Sequence, residues 1–200
     1  MVSGRGLGLL SAVLRAQKAG REAYVKLQDS PEFQNPLRWP DLVASQFDGL
    51  VLPGGHAPGM KEYLESRRLQ SLVVDFFASN RPVGAICHGV VLAARSRKDG
   101  RSVLHGRRTT ALLRRQELTA WALTRLWMGS YYRTYSTPVE DEVRRSLACP
   151  EDFLAGPLPI LRDTPAASSR GFTVLDGNYL SARWPGDAHA FGLRMVALLT

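Results

Sequence analysis

The chain has 200 residues, of which 44% are hydrophobic and 22% charged, with a formal net charge of +8 and a sequence pI of about 10.0. These values predict one globular domain spanning residues 1–200, and they exclude fibrous, disordered and disulfide-rich classes. No apolar run approaches the roughly 18 residues that a membrane-spanning helix requires. We therefore expect a cytoplasmic protein with no membrane partner.

The positive charge comes mostly from 22 arginines that are scattered along the chain, in pairs rather than in runs of five or six. No nucleic-acid-binding motif accompanies them, so we expect no nucleic-acid partner. The two cysteines, Cys87 and Cys149, have no CxxC or Cys/His spacing around them. This pattern predicts a reducing compartment, no metal and no cofactor.

The first 21 residues lack acidic side chains and mix four basic residues with Leu and Ala. Such a composition is compatible with a transit peptide. An ordinary loop and a helix over residues 11–27 is the favoured interpretation, because acid-poor stretches are common in so basic a chain. Residues 30–40 contain three prolines and are predicted to be a loop.

Alternating strands and helices follow. Residues 47–52 form a short apolar run that ends in Pro53-Gly54-Gly55, as a buried strand does. Residues 63–78 have helical periodicity, residues 82–86 predict a second buried strand, and residues 89–95 begin another helix. Strand, helix, strand and helix in series favour a parallel sheet.

The C-terminal half predicts a tryptophan-rich helix over residues 117–128. Residues 172–175 and 179–182 flank an Asp-Gly-Asn turn, which indicates a hairpin. Asp187 follows Pro-Gly and is expected to cap a final helix over residues 188–199.

The candidate catalytic residues are Cys87 and His88, at the junction of the second strand and its helix. A nucleophile on a sharp strand-to-helix turn is exposed at the carboxyl end of the sheet. The helix dipole there favours a thiolate, so we expect the pKa of Cys87 to lie below about 8.5. His88 is the candidate base, and the backbone N–H groups of Gly55 and His88 are the expected oxyanion donors.

A buried structural cysteine is the commoner meaning of Cys-His-Gly alone. The Gly54-Gly55 loop placed one helix earlier makes a two-part signature that favours chemistry. His56 either lines the pocket or faces solvent. Asp187 either orients His88 in the pocket or caps its helix. Five aromatic residues either cover the site or belong to the core: Trp121, Trp127, Tyr131, Tyr132 and Tyr135.

Residues 47–95 resemble the ThiJ/PfpI family of the class I glutamine amidotransferase-like superfamily, with the Gly-Gly loop and the Cys-His elbow in register. Residues 177–187 are similar to the last strand and following helix of that family. The resemblance implies a flavodoxin-like three-layer α/β sandwich with a mostly parallel sheet and a small helical insert around residues 117–155. It also implies a homodimer that acts on a small carbonyl or amide substrate without a cofactor.

Family members usually begin with a strand, a helix and a second strand, and a Glu at the end of the first strand hydrogen-bonds the elbow cysteine. This chain has no β-rich run before Phe47, and Glu22 and Glu32 lie in the wrong context. We expect either a fragment or misassigned start, or a shortened protein completed by a partner chain. The function is accordingly either a cysteine-dependent glyoxalase, deglycase or amide hydrolase, or a non-catalytic stress-response, chaperone or redox-sensing protein.

Overall fold

The computed structural model describes residue 16 and residues 18–200, in two compact units that divide between Leu42 and Val43. Most of the segment interpreted above as either a transit peptide or a loop and helix lies outside the described residues. Within the described part, each helix is too short or too polar to cross a bilayer.

The first unit contains helix α1 (Lys18–Gln28) and the short helix α2 (Pro31–Gln34). The hydroxyl of Ser30 accepts a hydrogen bond from the Phe33 N–H at 3.3 Å, and Pro31 occupies the first helical position. Both features favour helix initiation. The prediction of a continuous loop over residues 30–40 was therefore wrong at α2.

The second unit contains the α/β part of the chain. Its elements are, in order, β1 (Leu50–Leu52), α3 (Met60–Glu65), α4 (Arg67–Ala78), β2 (Val83–Ile86), α5 (Gly89–Arg95), β3 (Arg97–Lys98), β4 (Arg101–Ser102), α6 (Arg114–Met128), α7 (Val139–Arg144), β5 (Thr173–Asp176), β6 (Tyr179–Ala182) and α8 (Ala188–Leu199).

Four strands form the main sheet in the order β1-β2-β6-β5. The first three are mutually parallel, and β5 is antiparallel to β6 through the predicted hairpin, where Gly177 has φ 60°. The expected α/β fold with a mostly parallel sheet is confirmed. Among the described residues β1 is an edge strand with no strand before it, and Val51 is 48% exposed.

The register of the parallel strands determines where the candidate site lies. Leu52 pairs with Ala85, so β1 and β2 end at the same edge of the sheet. The chain then leaves β2 through Cys87 into α5, whose residues Gly89 to Ala94 are all buried. Cys87 therefore lies between the sheet and a helix that belongs to the core.

The helix predicted over residues 63–78 is two helices. The chain breaks at Ser66, which has φ −64° and ψ 109°, and its hydroxyl accepts from the Leu69 N–H at 3.3 Å. The predicted apolar face remains correct for α4, where four residues are buried: Leu69, Leu72, Val73 and Phe76. A local N-cap thus overrides the continuous periodicity.

Candidate active site

The turn at Cys87 has the geometry of a nucleophile elbow. Cys87 has φ 59°, in the left-handed region that residues with a Cβ rarely adopt. This conformation costs of order 1–2 kcal/mol and redirects the chain abruptly between β2 and α5. The surrounding packing holds the strain, as is common at functional sites.

Glycines allow the β1 loop to contact this elbow. A Cβ on Gly54 would lie 2.6 Å from the Cβ of Cys87 and 2.7 Å from the backbone nitrogen of His88. A Cβ on Gly89 would lie 2.0 Å from the carbonyl oxygen of Leu52. Any side chain at either position would displace backbone atoms, so the two strand ends approach as closely as glycine permits.

The elbow brings three predicted residues together. The Sγ atom of Cys87 lies 3.6 Å from Nδ1 of His88. The ring of His56 meets the ring of His88 edge to face, with centroids 4.5 Å apart. Cys87 is 6% exposed and His88 is 1% exposed, while His56 is half-buried and closer to solvent. His56 therefore lies beside the cysteine and its histidine rather than facing solvent.

Burial dominates the electrostatics of these groups. Burial, opposed by a smaller lowering from the His88 backbone N–H and supported by the charge of Glu117, raises the pKa of Cys87 to about 12. The expected low pKa of Cys87 is therefore wrong for this structure, because desolvation of the thiolate outweighs the favourable backbone interaction.

The two histidines are uncharged at neutral pH. Burial, with smaller contributions from His56 and Arg95, lowers the pKa of His88 to about 3. Burial also lowers the pKa of His56 to about 4. The neutral imidazole has a free electron pair next to the thiol, so His88 can take up the thiol proton transiently, although a pKa of about 3 makes it a weak base.

Two of the five aromatic residues cover the site. The rings of Tyr132 and Tyr131 lie 4.8 Å and 6.3 Å from the ring of His56. Trp127 is 51% exposed, and Trp121 stacks with arginines on and after α6. Tyr135 instead donates a hydrogen bond to Glu65 at 2.8 Å. The cover over His56 therefore comes from the loop after α6, not from the helix itself.

Glu117 affects the pKa of Cys87, and the sequence reasoning missed this residue. It is 1% exposed, accepts a hydrogen bond from the Val139 N–H at 2.9 Å and faces Arg133 at 3.8 Å. Burial raises its pKa, and its charge acts on Cys87. The sequence offered one signal, which is that Glu117 is the sole acidic residue in residues 114–139. In the structure, Thr124, seven positions later on the same helix, is equally buried.

Asp187 is buried in a different set of contacts. Its carboxylate accepts from Arg183 Nε and Nη2, both at 2.9 Å, and from the Phe172 N–H at 2.9 Å. It stands at the N-cap position of α8 without the expected side-chain capping bond. Its oxygens are thus engaged in joining β5 and β6 to the start of α8.

A family model described as ThiJ/PfpI family-like matches residues 6–157. The matched residues include the Gly-Gly loop, the elbow and α6, the helix that carries Glu117. The match begins well before the first described strand, within the region where the sequence offered no β-rich run.

Two curated proteins illustrate the range of similarity. A deglycase from Thermococcus kodakarensis is 24% identical over 203 residues, covering 96% of this chain and 92% of that protein. Protein DJ-1 homolog D from Arabidopsis thaliana is 43% identical over 72 residues, covering 36% of this chain. The chain thus spans only 16% of the length of the Arabidopsis protein.

The fold has solved counterparts. The crystal structure of glyoxalase III from Candida albicans superposes with a TM-score of 0.63 at 16% identity, covering 90% of this chain and 70% of that one. At this level of identity the similarity concerns the fold alone.

Proposed function

This chain belongs to the ThiJ/PfpI family, and from that premise we propose that it is a cysteine-dependent enzyme acting on small aldehydes, 2-oxoaldehydes above all. The observation that carries the proposal is the pair formed by Cys87 and His88, with Sγ 3.6 Å from Nδ1 on a strained elbow. Its relatives include proteins named deglycases and a glyoxalase III.

The first step is addition of the thiol to the aldehyde. The bond from Sγ of Cys87 to the carbonyl carbon forms as the S–H bond breaks, and the proton passes to Nδ1 of His88. The carbonyl π electrons move to oxygen, which then takes the proton from His88. The product is a hemithioacetal with no net charge, and His88 returns to its neutral form.

Backbone N–H donors stabilise the negative charge that develops on the carbonyl oxygen during this addition. We assign this role to the N–H groups of Gly55 and His88, which flank the elbow. Gly54 packs against the backbone nitrogen of His88, and Gly55 is the next residue in the chain. Among the described residues, the nearest atoms to a Cβ on Gly55 are those of Met60, at 3.6 Å and beyond, which is ordinary van der Waals contact, so the loop is less tightly packed here than at Gly54.

Burial favours an aldehyde over an amide. The pKa of Cys87 is raised to about 12, so a resting thiolate is strongly disfavoured. Addition to an aldehyde starts and ends with neutral groups, whereas amide hydrolysis must also protonate and expel an amine. A site that disfavours charge therefore suits the aldehyde better.

The test is turnover of methylglyoxal by purified protein, followed as loss of the dicarbonyl and appearance of lactate. We expect the Cys87→Ala variant to lose activity, and the Cys149→Ala variant to keep it because Cys149 lies outside the site. Equal activity in the Cys87→Ala protein, or no turnover by the wild type, would overturn the proposal.

A non-catalytic role is the second candidate, and the raised pKa of Cys87 is the observation that favours it. The same burial argues against a redox sensor, because such cysteines are exposed and of low pKa. Suppression of client aggregation that is unchanged in the Cys87→Ala variant, with no aldehyde turnover, would support this role.

A further inference from the structure

Three side chains that commonly bind metals meet at the elbow. His56, Cys87 and His88 each offer one donor atom, and these atoms all lie within 4.8 Å of one another. The sequence has no zinc-like spacing here, because two donors are adjacent and the third follows a different strand. The fold alone brings them together.

Their spacing approaches that of ligands around one ion. With a Zn–S bond of about 2.3 Å and a Zn–N bond of about 2.0 Å, a sulfur and a nitrogen in tetrahedral positions lie roughly 3.5 Å apart, and two nitrogens roughly 3.3 Å apart. Sγ of Cys87 and Nδ1 of His88 are 3.6 Å apart, so this pair already has the required separation. The donor atom of His56, on the side nearer solvent, lies within 4.8 Å of the other two and reaches ligand spacing by moving up to about 1.5 Å.

An unsatisfied polar atom provides a second, independent observation. Nδ1 of His56 is buried and has no hydrogen-bond partner among the described residues. Buried ring nitrogens normally have one. A bound cation at the cluster would supply a partner for an imidazole nitrogen that the protein leaves without one.

We propose that His56, Cys87 and His88 form a zinc site with one coordination position left open. Two imidazoles and one thiolate suit Zn²⁺, whereas Mg²⁺ and Ca²⁺ require oxygen ligands. On binding, the Zn–S bond forms as the S–H bond breaks, and the proton leaves to solvent. The ion then occupies the sulfur electron pair that attacks the aldehyde, so zinc reversibly masks the nucleophile. This masking, unlike the site, rests on the proposed function.

The site is tested by titrating untagged, chelator-treated protein with Zn²⁺ by calorimetry, and with Co²⁺ as a spectroscopic probe. We expect one equivalent per chain and a thiolate-to-cobalt charge-transfer band. The variants Cys87→Ser and His56→Phe should bind Zn²⁺ at least about tenfold to hundredfold more weakly, because loss of a ligand costs no less than loss of an outer-shell partner.

Matched controls are Cys149→Ser and His105→Phe, which change an exposed cysteine and an exposed histidine. Both should bind as the wild type does, and circular dichroism of each variant verifies that it is folded. Unchanged affinity in folded Cys87→Ser or His56→Phe protein overturns the site. Binding of Cu⁺ with no binding of Zn²⁺ overturns the choice of metal.

Failure of this inference is distinguishable from failure of the proposed function. Turnover of methylglyoxal by metal-free protein that binds no Zn²⁺ overturns the metal site and leaves the enzyme. Stoichiometric Zn²⁺ binding by a protein whose metal-free form turns over no methylglyoxal supports the site and overturns the enzyme. With both present, Zn²⁺ should inhibit turnover and protect Cys87, but not Cys149, from iodoacetamide.

Discussion

The imidazole rings of His56 and His88 meet at an interplanar angle of 77°, with centroids 4.5 Å apart. They follow β1 and β2, two parallel strands in register, so the fold places them side by side at one edge of the sheet. Burial lowers the pKa of His56 to about 4 and that of His88 to about 3. The elbow therefore holds two uncharged bases beside one uncharged thiol.

This pair should make the protein sensitive to mild acid. In the unfolded chain His56 takes up a proton as the pH falls through about 6.5, but in the folded chain it remains neutral until about 4. The free energy of unfolding therefore falls as the pH drops between these values. We expect the His56→Phe variant to lose about 1–2 kcal/mol less than the wild type between pH 7 and pH 5. Urea unfolding at both pH values measures this difference, and equal losses in the two proteins would contradict it.

Alkylation of Cys87 should be slow at neutral pH. Because burial raises its pKa to about 12, the reactive thiolate is scarce at pH 7. In a Cys149→Ser background, which leaves Cys87 as the only cysteine, the rate with iodoacetamide should rise about tenfold per pH unit. We expect no plateau up to pH 9.5. A plateau below pH 8.5 would show an activated thiolate and overturn the assignment of burial as the dominant effect.

Glu117 should set part of this reactivity. Its charge contributes to the raised pKa of Cys87, and its Oε2 atom accepts from the Val139 N–H. Glu117→Gln removes the charge and keeps an oxygen for that hydrogen bond, so the pKa of Cys87 should fall and alkylation at fixed pH should accelerate. Glu140→Gln, on α7, is the control and should leave the rate unchanged. A rate that falls or stays constant in Glu117→Gln would show that its charge does not reach Cys87.

Local sequence patterns predicted the parts of this site that depend on neighbouring residues. The apolar runs before Gly54 and Cys87 indicated two buried strands, and parallel strands end at a common edge. The Gly-Gly loop and the Cys-His turn could therefore be placed together from the residue pattern alone. The break at Ser66 escaped prediction because one serine cap replaces a turn of otherwise continuous periodicity.

Other properties depend on tertiary packing, which no local pattern encodes. The pKa of Cys87 was expected to fall because a helix begins beside it, but desolvation in the packed interior raises it instead. Glu117 lies on a helix of another segment, and only the fold brings its charge near the elbow. The effects of burial and of a distant charge on the pKa of Cys87 were therefore not predicted from the sequence.

Gly54 and Gly55 should respond differently to alanine, although they are adjacent. A Cβ at Gly54 would lie 2.6 Å from both the carbonyl oxygen of Ile86 and the Cβ of Cys87, which forces the backbone apart. At Gly55 the nearest atom is the flexible Met60 Sδ at 3.6 Å. We expect Gly54→Ala to lower the free energy of unfolding by about 1–3 kcal/mol and Gly55→Ala to lower it by less than about 1 kcal/mol. Urea unfolding of both proteins decides this, and equal effects would contradict the close approach of the β1 loop.

The left-handed turn at Cys87 predicts that Gly is more stable than Ala at this position, which is the reverse of the usual order. At most positions Gly is less stable than Ala by roughly 0.5–1 kcal/mol, because it loses more backbone entropy. Cys87 has φ 59°, where Ala retains the strain of its Cβ and Gly has none. The Cys87→Gly variant should therefore be more stable than Cys87→Ala by about 1 kcal/mol. Ala85→Gly, two residues earlier in β2 and fully buried, is the matched control and should destabilise. If Gly and Ala at position 87 follow the ordinary order in urea unfolding, the elbow relaxes without the cysteine, and the strain belongs to the thiol's own packing rather than to the backbone turn.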